Sequence, residues 1–472
     1  MTSFTKNRTY RLFAVLAVWV CSSVVVFGQD TIAASSTPTP LLQQINIQTV
    51  TVSTPTPSAT PGVRTIGSST AISTIKSSFP ILRDVAIPGY SGVLVETLDG
   101  KIVMESLSAL NYNPASNVKI ATSYAVLKTF GPDYRFPTSV WTDGSFDPST
   151  GTLYGNLYVS GKDPSFNLEH GVSISSELNR LGIQNVTGDL VVTDSFVMNY
   201  SANPQRAATT LQATLDGSKR TAAINRAWQG FLVNSGKIAQ VRGVPSVSIA
   251  GGVYVQMIPS NAKILFTHES SPMKEIVKAT MCYSNNYLSE RLGDMIGGPS
   301  AVARYVHQNA RVAPAEFYLA TSSGLGMNRV SARAMMQLLR AFRKDLEKFK
   351  MTFADIMPVA GMDQGTLAGR FDEGFERGSV VGKTGTLGNT DGGASALSGE
   401  MNTRNGKLLF VIFNMKGSVP RFRSFQNSLV PLIQSQFGGA LPMTYSAISL
   451  DVRMAQTRFS YPSANTRQRV IQ

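Results

Sequence analysis

Two tight-turn signals near opposite ends of the chain constrain its fold more than any other feature. Asp99-Gly100 interrupts a β-rich stretch at 92–106, and Asn405-Gly406 interrupts another at 394–415. Such pairs between β-rich runs are the strongest short-range hairpin signals, because these residues tolerate positive φ. A further strand is expected to carry Lys383, just before the second hairpin. The sequence therefore predicts one antiparallel five-stranded sheet to which both ends of the chain contribute.

Helices are expected to cover both faces of this sheet. Apolar residues recur at helical spacing in four segments, which are 116–128, 274–295, 331–349 and 421–437. The region between the first two segments has a different sequence pattern, with short β-rich runs broken by Gly, Ser and Asn at 153–159, 188–193 and 247–249. The pattern predicts an α+β fold with an inserted strand-rich domain.

The N-terminal region indicates export. Lys6, Arg8 and Arg11 precede an apolar run at 12–27, and no acidic residue lies among the first 29 residues. This run of 16 residues is short for a membrane span, which needs about 20, so 1–29 is predicted to be a secretory signal peptide. We expect a periplasmic or cell-envelope protein, tethered to the membrane if the signal is not cleaved.

Composition narrows the chemistry that the exported chain can perform. Cleavage of the signal would leave Cys282 as the remaining cysteine, so the fold cannot rely on an intrachain disulfide. The net charge is +14, of which the signal contributes +3, and this suits an anionic wall polymer or phospholipid surface. Nucleic acid is not expected as a partner, because Lys and Arg are not concentrated in one run. No cofactor is expected, and His170, His268 and His307 lack metal-ligand spacing.

Three short motifs occur in one order along the chain. They are Ser116-Asn117-Val118-Lys119, Ser284-Asn285-Asn286 and Lys383-Thr384-Gly385-Thr386, with first residues 168 and 99 positions apart. Each motif alone is weak, since a serine three residues before a lysine recurs at Ser3, Ser73 and Ser271. The ordered triple indicates a serine acyl-transfer enzyme that uses lysine as its base.

Each motif supplies a different part of that chemistry. Ser116 and Lys119 lie one helical turn apart, so Lys119 could deprotonate the nucleophile if its pKa falls from about 10.4. Burial beside the second cation, Lys383, would lower that pKa. Ser284 could relay the proton to the leaving group, and Asn286 could hold the amide of the acyl side chain.

The third motif suits a carboxylate. Lys383 and the hydroxyl groups of Thr384 and Thr386 form an anion pocket on an edge strand. The backbone N–H groups of Thr386 and Ser116 are expected to form an oxyanion hole.

The flanking segments resemble the class C low-molecular-mass penicillin-binding proteins, which are D-alanyl-D-alanine carboxypeptidases and endopeptidases. The similar segments are 113–116, 130–136, 155–165, 182–194, 359–370, 382–387 and 395–399. The resemblance implies a penicillin-binding/β-lactamase-like transpeptidase fold, with Ser116 as the acylated nucleophile and Lys119 as base. It also implies Ser284 and Asn286 as relay and substrate holder, and Lys383 as the cation that faces the substrate carboxylate.

Two departures from that family bear on specificity. The stretch 321–326 differs from the family's usual Asp-Gly-Ser-Gly-Leu-Ser, so the resemblance does not specify the structure of the far wall of the cleft. Residues 198–215 lack the tryptophan and aspartate with which relatives grip a diaminopimelate amine, and Asp216 is a candidate replacement. We therefore expect weak discrimination between stem peptides that carry diaminopimelate and those that carry lysine.

These observations predict a division of the chain and a function. The segments are a signal peptide (1–29), a disordered linker (30–78), a catalytic domain in two parts (79–138 and 274–438), the insert (139–273) and a basic tail (439–472). The expected function is D-Ala-D-Ala carboxypeptidase or endopeptidase activity on peptidoglycan stem peptides, with β-lactams as covalent inhibitors. The alternatives are a β-lactamase or other D-peptidase, and a wall-binding protein without activity.

Overall fold

The structure is a computed structural model that describes residues 75–241 and 243–462. The predicted signal peptide and most of the predicted linker lie outside the described residues, as do the last ten residues of the basic tail. Within the described ranges, every helix is too short or too polar to span a bilayer.

The strands occur in consecutive groups separated by helices along the described chain. In chain order they are β1 (Lys76–Ser77), β2 (Tyr90–Thr97), β3 (Ile102–Ser106), β4 (Asn111–Tyr112), β5 (Pro137–Thr142), β6 (Ser145–Asp147), β7 (Thr152–Tyr154), β8 (Leu157–Gly161), β9 (Asn185–Val186), β10 (Leu190–Val192), β11 (Ser248–Ile249), β12 (Val253–Val255), β13 (Lys263–Glu269), β14 (Phe317–Tyr318), β15 (Arg329–Ser331), β16 (Val380–Leu387), β17 (Ala394–Thr403), β18 (Gly406–Met415) and β19 (Arg458–Ser460).

The helices of the described chain include nine of more than ten residues. In chain order the α-helices are α1 (Pro80–Arg83), α2 (Val118–Phe130), α3 (Leu168–Arg180), α4 (Pro204–Leu215), α5 (Ala222–Asn234), α6 (Met273–Tyr283), α7 (Asn286–Ile296), α8 (Pro299–Ala310), α9 (Ala332–Lys348), α10 (Val419–Gln436) and α11 (Leu450–Met454). Short 3₁₀ turns lie at Ala115–Asn117, Gly217–Lys219, Pro314–Glu316, Phe353–Asp355 and Thr390–Gly392.

Both ends of the chain build the central antiparallel sheet, in the order β1-β3-β2-β18-β17-β16. The two predicted hairpins are present, with positive φ at Gly100 (96°) and Gly406 (118°). The five predicted strands are joined by β1, which pairs with β3 at the edge of the sheet. At the end of the predicted linker, Lys76 and Ser77 pair with β3 and Ile75 is buried.

The central sheet is covered on both faces, as predicted. Along β18, Val411 and Phe413 pack into a core shared with α2, α6, α8 and α9, whereas Phe410 and Ile412 pack into a second core with α10. This alternation follows from the period of two in strand side chains. The sheet is thus buried on both faces, and β16 lies at one edge, where Val359 forms a bridge with Val381.

The segment predicted as one helix at 274–295 is two helices. Ser284 has left-handed backbone geometry (φ 55°), which ends α6, and the side chain of Asn285 caps α7 by accepting from the N–H of Leu288 at 3.0 Å. The break matters for the site, because it places Ser284, which is half-buried, at the end of a helix instead of along its side.

The insert has its own core and contains both strands and helices. One sheet runs β12-β10-β8-β5-β13-β19 and a second runs β11-β9-β7-β6. Helices α3 and α4 pack on this core, and α5 packs beside α3 in a smaller cluster around Trp228. The strands were predicted from the sequence, whereas these helices were not. The predicted domain boundaries stay predictions.

The tail is folded where the structure describes it. Strand β19 pairs antiparallel with β13, so the end of the described chain adds a strand to the edge of the insert sheet. Before this strand, Arg453 of α11 forms a buried ion pair with Glu275 of α6 at 2.7 Å.

Candidate active site

Ser116 and Lys119 lie at the start of α2. Ser116 belongs to the 3₁₀ turn that precedes the helix, and Lys119 lies in its first turn. The distance from Lys119 Nζ to Ser116 Oγ is 3.2 Å, so the two side chains are within hydrogen-bonding range, as predicted. Ala115, directly before the serine, has a positive φ of 47°, and such backbone strain is concentrated at functional sites.

Burial prepares Lys119 to act as a base. Its side chain is fully buried and also donates to the Oδ1 of Asn286 and the carbonyl oxygen of Ser323, both at 2.7 Å. Burial lowers the pKa of Lys119 to about 7, and the carboxylate of Glu290 opposes this shift. The burial expected from the sequence is the main cause of the lowered pKa of Lys119, and the charge of Lys119 in turn lowers the pKa of Lys383.

Lys383 and Ser284 form the second lysine–serine pair. Lys383 Nζ lies 3.0 Å from Ser284 Oγ and donates to the carbonyl oxygen of Thr384 at 2.7 Å. Lys383 is fully buried, and its pKa is lowered by this burial and then by the charge of Lys119. The side chain of Asn117 donates to the carbonyl oxygen of Lys383 at 3.0 Å, which ties the nucleophile turn to β16.

Close backbone approach sets the position of β16 beside Ser116. A Cβ atom at Gly385 would lie 2.7 Å from the carbonyl oxygen of Pro114, so a larger residue would push the strand away. Thr384 and Thr386 flank this contact at the edge of the sheet. The oxyanion hole from the N–H groups of Ser116 and Thr386 stays a prediction.

The segment 321–326 forms the opposite wall. Gly324 has φ 93°, and a Cβ atom there would lie 2.0 Å from the carbonyl oxygen of Ala115. The Glu290 carboxylate accepts from the N–H groups of Ser322 and Ser323, at 3.1 and 2.9 Å. Glu290 therefore fixes the position of Ser323, whose carbonyl oxygen accepts a hydrogen bond from Lys119.

Glu290 was not predicted from the sequence, although a signal for it existed. It lies four residues after Asn286, and residues with that spacing share one face of a helix. Both residues act on Lys119, one by direct contact and one through its charge.

A cavity of about 590 Å³ lies between these walls. Its lining includes five of the seven predicted site residues, which are Ser116, Ser284, Asn286, Thr384 and Thr386. The other two, Lys119 and Lys383, are fully buried and reach the serines from behind the cavity wall. The remaining lining residues are Leu325, Thr366, Gly369, Arg370, Gly385, Arg423 and Asn427.

Asp216 and Cys282 take structural positions. The carboxylate of Asp216 accepts from the N–H of Ser218 at 3.0 Å and pairs with Lys219 at 3.4 Å, and Asp216 is not part of the cavity lining. The role of Asp216 as a replacement for the missing aspartate stays a prediction. Cys282 is fully buried, and this burial raises the pKa of its thiol to about 12, so it packs in the core as an unreactive thiol.

The fold and the paired Ser–Lys contacts define a class of protein, the serine enzymes with a penicillin-binding fold and a lysine base. The sequence profile of the D-Ala-D-Ala carboxypeptidase 3 (S13) family matches residues 80–212 and 205–432. The chain belongs to this family, and it is a serine peptidase of the class C penicillin-binding type, as the resemblance implied.

Relatives support this placement over most of the chain. A D-alanyl-D-alanine carboxypeptidase of Actinomadura sp. (strain R39) is 26% identical and aligns with 77% of this chain and 84% of its own. The penicillin G-acylated predatory endopeptidase Bd3459 of Bdellovibrio bacteriovorus has the same fold (TM-score 0.65, 21% identity, 76% of this chain and 96% of that chain). Penicillin-binding protein 4 of Haemophilus influenzae also shares it (TM-score 0.55, 20% identity, 74% and 98%).

The pKa of Lys119 predicts the pH dependence of acylation. Because Lys119 must be neutral to accept a proton, kcat/KM should rise with pH around a midpoint near 7. Glu290→Gln should move this midpoint to lower pH, since it removes the carboxylate that raises the pKa of Lys119. Asp294→Asn is the matched control on the same helix, because Asp294 forms an exposed pair with Arg291. An unchanged midpoint in Glu290→Gln would contradict the assignment.

Proposed function

We propose that this protein removes the terminal D-alanine from peptidoglycan stem peptides, or cuts D-alanyl crosslinks, through an acyl-serine intermediate. The observation that carries the proposal is the pair of buried lysines, each within 3.2 Å of a serine hydroxyl at the same cavity. The named activity of the relative from Actinomadura supports the choice of substrate.

In the acylation step, Ser116 Oγ attacks the carbonyl carbon of the penultimate D-alanine, and its proton moves to neutral Lys119. Negative charge develops on the carbonyl oxygen, where the N–H groups of Ser116 and Thr386 would stabilise it. Collapse of this intermediate breaks the peptide bond, and the leaving amine takes a proton from the hydroxyl of Ser284. Lys383, 3.0 Å from that hydroxyl, supports the transfer by replacing the proton.

The remaining residues would hold the substrate. Asn286 is oriented by its contact with Lys119 and lines the cavity, so it can bind the amide of the acyl side chain. Thr384 and Thr386 offer hydroxyl groups to the terminal carboxylate. Before hydrolysis, Lys119 must give up the proton that it took from Ser116, and this proton restores the one that Lys383 supplied. Neutral Lys119 can then take a proton from the attacking water molecule and return it to Ser116 Oγ as the ester bond breaks.

We also propose that the protein acts outside the cytoplasm and binds β-lactams covalently. The substrate lies in the cell wall, which agrees with the signal peptide predicted for residues 1–29. A β-lactam mimics the D-alanyl-D-alanine terminus, and the structurally similar endopeptidase Bd3459 has been captured in a penicillin G-acylated form.

Release of D-alanine from two purified pentapeptides, one with diaminopimelate and one with lysine, tests the proposal. Both should be cleaved with kcat/KM values within about a hundredfold, because an open pocket separates near-isosteres only modestly. A larger preference would show that an unrecognised residue replaces the missing acidic grip. Failure to release D-alanine from either peptide would contradict the proposed activity and favour a β-lactamase or a wall-binding protein.

A further inference from the structure

Two arginines from distant parts of the chain line the leaving-group side of the cavity. Arg423, on the first turns of α10, donates from its Nη2 to the hydroxyl oxygen of Thr386 at 2.9 Å. Arg370 donates from its Nε to the Oδ1 of Asn427 at 2.8 Å and from its Nη2 to the Oε1 of Gln426 at 3.1 Å. Both guanidinium groups are thus held by neutral partners at the end of the cavity where β16 lies.

Neither arginine has an acidic partner among residues 75–241 and 243–462. The ion pairs formed in this part of the chain involve other arginines and lysines, such as Arg329 with Asp391 and Arg453 with Glu275. Burial, followed by the charge of Arg423, lowers the pKa of Arg370 to about 10. Arg370 is half-buried and Arg423 is exposed, and two neighbouring cations that repel each other without a protein anion form a site prepared for an anionic ligand.

Binding of the terminal carboxylate of the substrate, which the proposed complex places at Thr384 and Thr386, does not require both arginines. Thr386 Oγ accepts from Arg423, so its own hydrogen is free to point at that carboxylate, which Thr384 also faces in the proposed complex and which Lys383 attracts from behind the cavity wall. A guanidinium carries five N–H donors, and the contacts above use one from Arg423 and two from Arg370. Most donors therefore stay available for a second anionic group.

We infer that the site prefers a leaving group that carries a second carboxylate, bound by Arg370 and Arg423. The inference rests on the proposed function and specifies its substrate class. D-Alanine as leaving group has a single carboxylate, whereas a stem peptide released from a crosslink has more than one. The arginines therefore bias the enzyme toward cutting crosslinks over trimming a terminal D-alanine.

The test uses N-acylated D-alanyl peptides whose leaving residues differ in charge alone. One pair ends in D-glutamate or D-glutamine, and a longer pair ends in D-2-aminoadipate or its side-chain amide. The full chain should cleave the acidic member of at least one pair with a kcat/KM about tenfold or more above its amide, since charge-assisted contacts are about twice as strong as neutral ones. The pair that shows the larger ratio reports how far the second carboxylate reaches.

Variants connect this preference to the arginines. Arg370→Gln and Arg423→Gln should each reduce the acid-to-amide ratio toward one, and Arg370→Lys should keep part of it because the charge remains. Arg421→Gln is the matched control, because Arg421 lies on α10 but lines a separate cavity with Val85 and Pro88. The control should preserve the ratio.

The outcomes separate the inference from the proposed function. Equal cleavage of acidic and amide substrates by the unmodified enzyme would overturn the inference and leave the proposed function standing. If Arg423→Gln lowered kcat/KM equally for both substrates and left the acid-to-amide ratio intact, Arg423 would only position Thr386. This result would also overturn the inference. Failure to cleave any of these peptides, or one ending in D-alanyl-D-alanine, would count against the proposed function itself.

Discussion

Replacement of Lys119 by alanine should slow acylation of Ser116 by a labelled penicillin by about 10²–10⁴-fold, the usual contribution of a positioned general base. The expectation rests on the 3.2 Å contact between the two side chains and on the burial that lowers the pKa of Lys119 to about 7. Ser116→Ala should remove the adduct entirely. Mass spectrometry of tryptic peptides after a timed exposure measures both effects.

A control on the same helix separates catalysis from stability. Lys128 also lies on α2 and forms a partly exposed pair with Asp345 at 2.8 Å, far from the cavity lining. Lys128→Ala should leave the acylation rate within about twofold, because Lys128 is not part of the cavity lining and Asp345 keeps Lys348 as a cationic partner at 2.5 Å. An adduct on another serine, or near-normal acylation of Lys119→Ala, would refute the assigned roles. Rapid turnover of the antibiotic without an adduct would indicate a β-lactamase.

Local patterns in the sequence predicted the parts of the fold that depend on local physics. The Asp99-Gly100 and Asn405-Gly406 turns appear where positive φ was expected, and the strands beside them form the central sheet. The serine and lysine of the first motif are within hydrogen-bonding range because one helical turn separates them. Here the interaction is between near neighbours in the chain, so the spacing alone carries the information.

Other features depend on contacts that a single sequence does not reveal. The left-handed geometry of Ser284 breaks a continuous helical pattern, because helical periodicity says nothing about the one residue that ends a helix. Helix α4 begins with Asn203 as N-cap and Pro204 in its first turn, a start signal that the β-rich runs of the insert obscured. Arg370 and Arg423 meet at the cavity only after β16, β17 and β18 have placed their segments side by side.

The largest stability effect is expected at an ion pair beneath the active site. Lys278 of α6 is fully buried and donates to the Oδ2 of Asp363 at 2.6 Å and to the carbonyl oxygens of Ala354 and Met357. The other oxygen of Asp363 accepts from the hydroxyl of Tyr445 at 2.7 Å, which links the tail to this pair. Every charged atom of the pair is therefore satisfied while both partners are present.

Removing one partner should leave a buried charge without compensation, and this costs about 3–5 kcal/mol. Asp363→Asn and Lys278→Met are each expected to lower the free energy of unfolding by that amount in chemical denaturation. Lys274→Met is the matched control, because Lys274 lies on the same helix and pairs with exposed Asp133 at 2.8 Å. It should change stability by no more than about 1 kcal/mol.

The same pair links stability to catalysis through α6. This helix ends at Ser284, and the carbonyl oxygen of Cys282 accepts from the N–H of Thr366, three residues after Asp363. A loss of the Lys278–Asp363 contact should therefore displace both Ser284 and the cavity wall at Thr366. Asp363→Asn protein that stays folded should show a lower kcat/KM together with its lower stability, whereas Lys274→Met should keep both values. A destabilised Asp363→Asn variant with full activity would show that Ser284 is held by its contact with Lys383 and not by the helix that precedes it.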